Sequence, residues 1–372
     1  MIWFLLALML GTMLIGVPIL LAIALTGYVG IAAVPDLVLP LYAQKMFAQL
    51  DSFTLLALPY FILAGGLMTA AGMSQQLVDF ARVLVGHLRA GLAHASVVTA
   101  MVLSGITGSS TADASAIASV LVPTMKRSGY KPGFAAALIA CAGTIGAIIP
   151  PSMVMVIYGA IAQVSIGGLF LVIGGILSGI FTATEAGVVA CLYAFVIGFF
   201  VYRKIKLRDL VGIFVEAAIT TTMVSAVIAV AGGSGWLLSY LQFNDAAVAF
   251  VTSVSQDPTI VLLIMAVVMI VLGTFVDSLA VLLVFAPVAI QISKSYGIDP
   301  FQMGLVMVMC NQIGAVSPPT APLLFVTTSI AKTTFAETNR HIWWFMLAEV
   351  LVLLLVIFIP GLASWIPHYF LG

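Results

Sequence analysis

The sequence predicts an all-α polytopic membrane protein organised around an internal repeat, and three observations carry that prediction. Hydrophobic residues make up 63% of the chain and charged residues 7%, with a mean hydropathy of +1.25, where a soluble domain carries roughly a quarter charged. The apolar segments run near the ~20 residues that a spanning helix needs, and nothing alternates with period two, so about ten helical crossings or near-crossings are expected rather than a barrel. Two Pro-Pro pairs occur, in Gly146-Ala-Ile-Ile-Pro150-Pro151-Ser152 and Gly314-Ala-Val-Ser-Pro318-Pro319-Thr320. Each sits within a long apolar segment, Phe134 to Tyr158 and Met303 to Ile330. A double proline removes two backbone donors and leaves upstream carbonyls without helical partners. In hydrocarbon such a break must be buried in protein or line a polar cavity, which is the chemistry of an ion or substrate site.

The matching extends upstream. Asp113 lies ten residues before Pro123 and Asp277 ten before Pro287; small polar residues precede both, Thr107-Gly108-Ser109-Ser110 and Gly273-Thr274. A turn spaced Gly-x-x-Pro follows each, Gly129 to Pro132 and Gly297 to Pro300. The order acidic hairpin, turn, broken helix therefore occurs twice, an internal repeat of the kind that secondary transporters use to build a midplane site.

Taken in order, the chain opens at Ile2 with no basic leader and no cleavage motif, so its first helix reads as a retained span. That helix should kink or end at Gly16-Val17-Pro18. A polar stretch from Pro35 to Ser52 precedes a span from Phe53 to Ala71, where Leu-Pro-Tyr at 58 to 60 suggests another kink. Ser74 to His94 is amphipathic and suits the interface. Gly91 to Ser104 and Ala116 to Met125 flank the first acidic cluster, and neither is long enough to span ~30 Å, so a re-entrant hairpin fits. Lys126, Arg127 and Lys131, and later Arg203 to Arg208, mark cytoplasmic edges. Ala186 to Tyr202 is a clean span, and Glu216 to Tyr240 is another, with a break or close-packing point at Gly232-Gly-Ser-Gly235. Thr259 to Leu272 leads into the second hairpin, and Phe345 to Ile359 is the last span, flanked by Trp343, Trp344 and Trp365.

The formal net charge is zero, which leaves no footprint for nucleic acid. No G-x-x-x-x-G-K-[ST] loop is present, so nothing in the chain reads as an ATP site. The Gly-x-Gly-Asp, Gly-x-Ser-x-Gly and His-Glu-x-x-His patterns of hydrolases are also missing, which sets aside an intramembrane enzyme. Cys141, Cys191 and Cys310 lie in apolar segments and read as small core residues. His87 and His94 read as interface residues. Glu185 reads as part of a helix start capped by Thr182 or Thr184. Glu349, an acid midway along the last span, should face a partner subunit or a cavity.

Leu50 to Gly65, Ser104 to Asp113, Pro123 to Tyr130, Gly143 to Ser152 and Phe181-Thr-Ala-Thr-Glu-Ala186 together resemble the large membrane subunit of tripartite ATP-independent periplasmic (TRAP) transporters. The resemblance covers almost the whole chain. It departs from the family near Gly174, where Ile173-Gly174-Gly175 joins two stretches that relatives separate by a further span and a polar arm. The resemblance implies an elevator-type secondary transporter with inverted repeats, two re-entrant hairpins and two broken helices, multi-pass in a bacterial or archaeal cytoplasmic membrane. It implies a sodium gradient as driving force, with Na+ rather than ATP, a small four-helix membrane subunit and a soluble periplasmic binding protein as partners. The cargo it implies is an organic acid such as a C4-dicarboxylate or sialic acid. A stand-alone sodium/carboxylate symporter of related fold is the alternative.

On this reading residues 1–104 form N-terminal scaffold helices and an amphipathic arm, 105–160 the first transport repeat, 161–258 a second scaffold region, 259–332 the second transport repeat and 333–372 a C-terminal helix. Sodium would take oxygens from Ser109, Ser110, Asp113, Gly146 and Pro150 in one repeat, and from Gly273, Thr274, Asp277, Gly314, Ser317 and Pro318 in the other. Asp113 and Asp277 also suit a capping role. The substrate carboxylate would meet Ser109, Ser110, Pro151, Ser152, Pro319 and Thr320 near half-helix N-termini.

Overall fold

The computed structural model describes residues 1–34, 37–51, 57–107, 109–149, 152–162, 183–275, 278–318 and 321–365. These are helices joined by short turns, with no strand among the described residues. The fold is an all-helical membrane protein. Helices α1 (Ile2–Leu14) and α2 (Ile19–Ala32) are separated at Pro18, which ends the first as its missing amide requires. Next come α3 (Leu39–Leu50), α4 (Ala57–Ala70) and α5 (Met73–Val85). Pro59 falls in the first turn of α4 as described, and residues 52–56, on the other side of the expected kink, lie outside the described set. The amphipathic stretch forms α5 and stops at Gly86, earlier than its sequence pattern suggests, and His87 and His94 are exposed.

The first hairpin comprises α6 (Gly91–Thr107) and α7 (Ser110–Arg127). Its limbs are longer than expected: residues 110–115, which read as the turn, form the opening of α7, because the Ser109 side chain accepts the Ala112 amide and starts the helix there. At 17 and 18 residues both limbs still fall short of ~30 Å at 1.5 Å per residue. Then follow α8 (Pro132–Ile148) and α9 (Met153–Ala162), the two parts of the first broken helix. Past the undescribed residues come α10 (Ala183–Val196), prolonged by a π turn over Ile197–Val201, α11 (Leu207–Tyr240) and α12 (Phe243–Val254). Glu185 lies in the first turn of α10, as expected. The second hairpin is α13 (Pro258–Phe275) with α14 (Ser278–Tyr296), and the second broken helix is α15 (Pro300–Val316) with α16 (Pro322–Ala331). Helix α17 (Phe335–Phe358) begins ten residues before the predicted span, so Trp343 and Trp344 sit within it, on its exposed side.

By length and composition α11 and α17 each suffice to cross a membrane, and bent pairs Leu58–Ala70 with Gln75–Val85 and Val248–Val254 with Pro258–Thr274 qualify jointly. Of the two expectations for Gly232-Gly-Ser-Gly235, a break or a close-packing point, the structure shows the second, since α11 runs unbroken through it. The small residues serve close packing instead. A Cβ at Gly233 would lie 2.7 Å from Met46 and 2.8 Å from Tyr42, and Ser234 shares a 2.9 Å hydrogen bond with the Tyr42 hydroxyl. Helix α11 thus packs on α2, α3, α4 and α14 and ties the N-terminal helices to the second repeat.

The two repeats exchange parts. Helix α16, the far half of the second broken helix, packs on α7 and α8 of the first repeat. Its counterpart α9 packs on α14 and α15 of the second. Each repeat thus gives its broken end to the other's hairpin. Tyr158 of α9 donates to the Pro300 carbonyl at 2.9 Å and lays its ring where a Cβ on Gly304 would stand. Lys126 at the end of α7 donates to the Ala331 carbonyl at the end of α16, where a cation meets the negative end of the helix. Both Gly-x-x-Pro turns have a left-handed glycine, Gly129 at φ 86° and Gly297 at φ 64°, with proline at the first helical position behind it.

Candidate functional site

At both breaks the helix ends alike. Ile149 (φ −81°, ψ 122°) and Ser317 (φ −79°, ψ 131°) occupy equivalent positions one residue before each proline pair, and both are extended. Of the residues singled out in the sequence, Pro150, Pro151, Asp277, Pro319 and Thr320 lie outside the described set. The others fall as follows.

In the first repeat Ser110, Asp113 and Gly146 come together. Asp113 is fully buried, and a Cβ on Gly146 would stand 2.6 Å from its Oδ2 and 3.1 Å from the Ser110 backbone. Gly143, one turn earlier, similarly faces Ala114 and the Ser110 carbonyl. These glycines let the acidic hairpin tip lie directly on α8. Ser109, not Asp113, is the N-cap of α7; Asp113 stands in the first turn, where a carboxylate faces the positive end of the helix.

In the second repeat Gly273 lies against Gly314: a Cβ on Gly314 would meet the Gly273 backbone at 2.6 Å, and one on Gly273 would meet Asn311 Oδ1 at 3.2 Å. Thr274 is buried and donates to the Ile270 carbonyl at 2.9 Å. Ser317 donates to the Ile313 carbonyl at 2.6 Å, and Pro318 is half-buried. Ser152 is buried at the start of α9 and accepts the Met155 amide at 3.4 Å, so its hydroxyl serves as a helix cap.

The sequence reading singled out Ser110 and Glu349 but missed their partners, Gln312 and Thr144. Ser110 donates to Gln312 Oε1 at 2.8 Å, linking hairpin one to broken helix two. Thr144, which occupies in the first repeat the place of Gln312 in the second, donates to Glu349 Oε1 of α17 at 2.8 Å. Glu349 lines a cavity of about 400 Å³ with Gln312 and Cys141, as one of its two expected settings required. The available signal was the buried pair Asn311-Gln312 inside an apolar helix, since intramembrane polar groups need partners.

A second cavity, of about 420 Å³, opens between α4, the tip of the first hairpin and α11. Thr69, Ser109, Ala112, Glu216 and Thr220 line it, so the N-terminus of α7 and a carboxylate of α11 face one space. Among the described residues, Ser110, Asp113, Thr274 and Ser317 bring hydroxyl and carboxylate oxygens to the hairpin tips and helix breaks.

Comparison with known proteins matches this architecture. The family model "Tripartite ATP-independent periplasmic transporter, DctM component" covers residues 4–172 and 168–362. A putative TRAP transporter large permease protein of Haemophilus influenzae is 31% identical, over 96% of this chain and 96% of its own length. The C4-dicarboxylate TRAP transporter large permease protein DctM of Pseudomonas aeruginosa is 32% identical, over 90% and 91%. The sialic acid TRAP transporter large permease protein SiaM of Vibrio cholerae is 30% identical, over 89% and 90%. The family model matches in two pieces that meet at 168–172, beside Gly174. The first of these alignments runs over 410 residues against a chain of 372, so that relative carries residues this chain lacks. The family consists of transporter permeases, not enzymes. With matches along nearly its whole length, the chain belongs to the DctM component family of tripartite ATP-independent periplasmic transporters.

Proposed function

We propose that this chain is the large membrane subunit of a sodium-driven uptake system for an organic acid anion, of C4-dicarboxylate or sialic-acid-like type. The observation that carries the proposal is the reciprocal packing of two hairpins and two broken helices, joined by the Ser110–Gln312 bond. In this reading sodium is the coupling ion. Carbonyls released at the breaks, with Ser109, Ser110, Asp113, Gly146 and Pro150 in one repeat and Gly273, Thr274, Asp277, Gly314, Ser317 and Pro318 in the other, hold it. The substrate carboxylate rests near Ser109 and Ser110 at the positive end of α7. Hairpins and broken helices travel as one body past a scaffold of α1 to α4 and α10 to α11, in an elevator motion within the inner membrane. A small four-helix subunit braces the scaffold, and a periplasmic binding protein delivers cargo.

The test is uptake of labelled C4-dicarboxylates and sialic acid into proteoliposomes under varied sodium gradients, with and without the two partner proteins. Uptake that needs inward sodium and all three proteins is the expected result. Uptake by this chain alone would make it a stand-alone symporter, and uptake indifferent to sodium would overturn the coupling.

A further inference from the structure

We infer that the chain has a proton-binding site at Glu349, whose carboxyl group holds a proton at neutral pH within the packed helices, apart from the sodium and substrate groups proposed above.

Glu349 stands towards the middle of α17, and its two oxygens are poorly served. Oε1 receives the Thr144 hydroxyl at 2.8 Å, but the one proton of that hydroxyl is divided with the Cys141 carbonyl at 2.6 Å. Oε2 is sealed from solvent and has no hydrogen-bond partner among the described residues. An ionised carboxylate offers about four acceptor positions. Here they are answered by a shared hydroxyl and by the neighbouring Cys141 thiol, a weak donor.

No cation compensates. Helix α17 packs on α8, α13, α15 and α16, and along all four the titratable side chains are two thiols, Cys141 and Cys310. The cavity of about 400 Å³ that Glu349 borders is otherwise almost wholly apolar, and no lysine, arginine or histidine lines it among the described residues. Helix α6, which gives Val97 to that cavity, carries His94, which is exposed and lies 3.3 Å from the Ala90 carbonyl. On α17 itself the basic residues are Arg340 and His341, and the nearer is about 12 Å away along the axis at 1.5 Å per residue.

Charge with neither donors nor a counter-ion is removed rather than tolerated in such a setting, and a carboxylate removes it by taking up a proton. The neutral acid keeps Oε1 as the acceptor for Thr144 and carries its proton on Oε2, the oxygen that no donor reaches. An unmatched hydroxyl costs far less than an unmatched charge. Because α17 packs chiefly on α8 and α15, the first parts of the two broken helices, losing this proton puts an unpaired charge between them.

The test uses the full chain in lipid nanodiscs and needs neither sodium nor cargo. Infrared difference spectra between neutral and alkaline buffer should show the carbonyl band of a protonated carboxylic acid at neutral pH, and E349Q should remove a component of it. No such band, or a band unchanged in E349Q, would overturn the site. Should E349Q fail to fold, the wild type decides through dicyclohexylcarbodiimide, an apolar reagent that partitions into membranes. The O–H of a protonated carboxyl adds across one C=N bond of the reagent, giving an O-acylisourea that rearranges to a stable N-acylurea with no leaving group. Peptide mass spectrometry at neutral pH should find Glu349 labelled at least about tenfold more than Asp209, as a protonated carboxyl against an ionised one requires; Asp209 is an exposed acid at the start of α11. Labelling of Glu349 no greater than that of Asp209 would overturn the proposal.

Discussion

The hydroxyl of Ser110 donates to the side-chain carbonyl of Gln312 at 2.8 Å, across 202 positions of sequence and from one repeat to the other. Both residues are buried. The bond makes the tip of the first hairpin and the helix before the second break a single polar assembly.

Removing either partner leaves a buried polar group unmatched, at a cost of about 1–3 kcal/mol. Ser110→Ala and Gln312→Leu should each lower the melting temperature, and the double variant should lose less than the sum of the two. A thermal-unfolding double-mutant cycle measures this, and strict additivity would show that the two residues act independently. Bulky replacements of Ser110 or Thr320 should abolish uptake while membrane insertion continues.

Close approach at the two hairpin tips predicts a graded alanine series. Gly314→Ala presses a methyl on the Gly273 backbone at 2.6 Å, and Gly146→Ala presses one on Asp113 Oδ2 at the same distance. Backbone cannot swing aside as a side chain can, so Gly314→Ala should cost more, within the ~1–3 kcal/mol of overpacked sites. Gly212→Ala on α11 has nothing within 4 Å and should be neutral or slightly stabilising through helix propensity. Melting temperatures that place Gly212→Ala below Gly314→Ala would contradict the packing described.

Glu349 accepts the Thr144 hydroxyl at 2.8 Å, two residues before Gly146. Thr144→Val removes a donor from a buried carboxylate and should destabilise by about 1–3 kcal/mol. Glu349→Gln keeps an acceptor for Thr144 and should cost less than Glu349→Ala. Chemical denaturation of the purified chain would rank the three.

The acids of the two hairpins should tune sodium more than cargo. Asp113→Asn and Asp277→Asn are expected to raise the sodium concentration for half-maximal uptake, by tenfold or so, with little change in apparent substrate affinity. An unchanged sodium titration would leave Asp113 a purely structural acid, held in the first turn of α7.

Much of this architecture was legible because its punctuation is local. Pro18 ends a helix, Gly129 and Gly297 supply left-handed turns, and the proline pairs stop α8 and α15 wherever the rest of the chain lies. What stayed hidden depends on partners far away in sequence. Nothing near Gln312 announces Ser110, and nothing near Thr144 announces Glu349. The glycines and serine at 232–235 fit a helix break and a helix contact equally well; Tyr42, some 190 residues earlier, decides for contact. The small polar run at 110–115 read as a turn because its residues favour caps, yet Ser109 alone takes the cap and the remainder continue as helix.

The crossed lodging of α9 and α16 bears on how the molecule is made. Emerging from the ribosome in order, the first hairpin and its broken helix are complete by residue 162, but α7 and α8 still lack the cover of α16, which follows at 322–331. Until then Ser110 lacks its acceptor, Gln312. The first half is therefore an unfinished surface throughout synthesis of the second, a situation in which partly assembled chains are exposed to misassembly and quality control. Two separately expressed halves, divided in the connection between α9 and α10, should each be unstable alone and protect one another when made together.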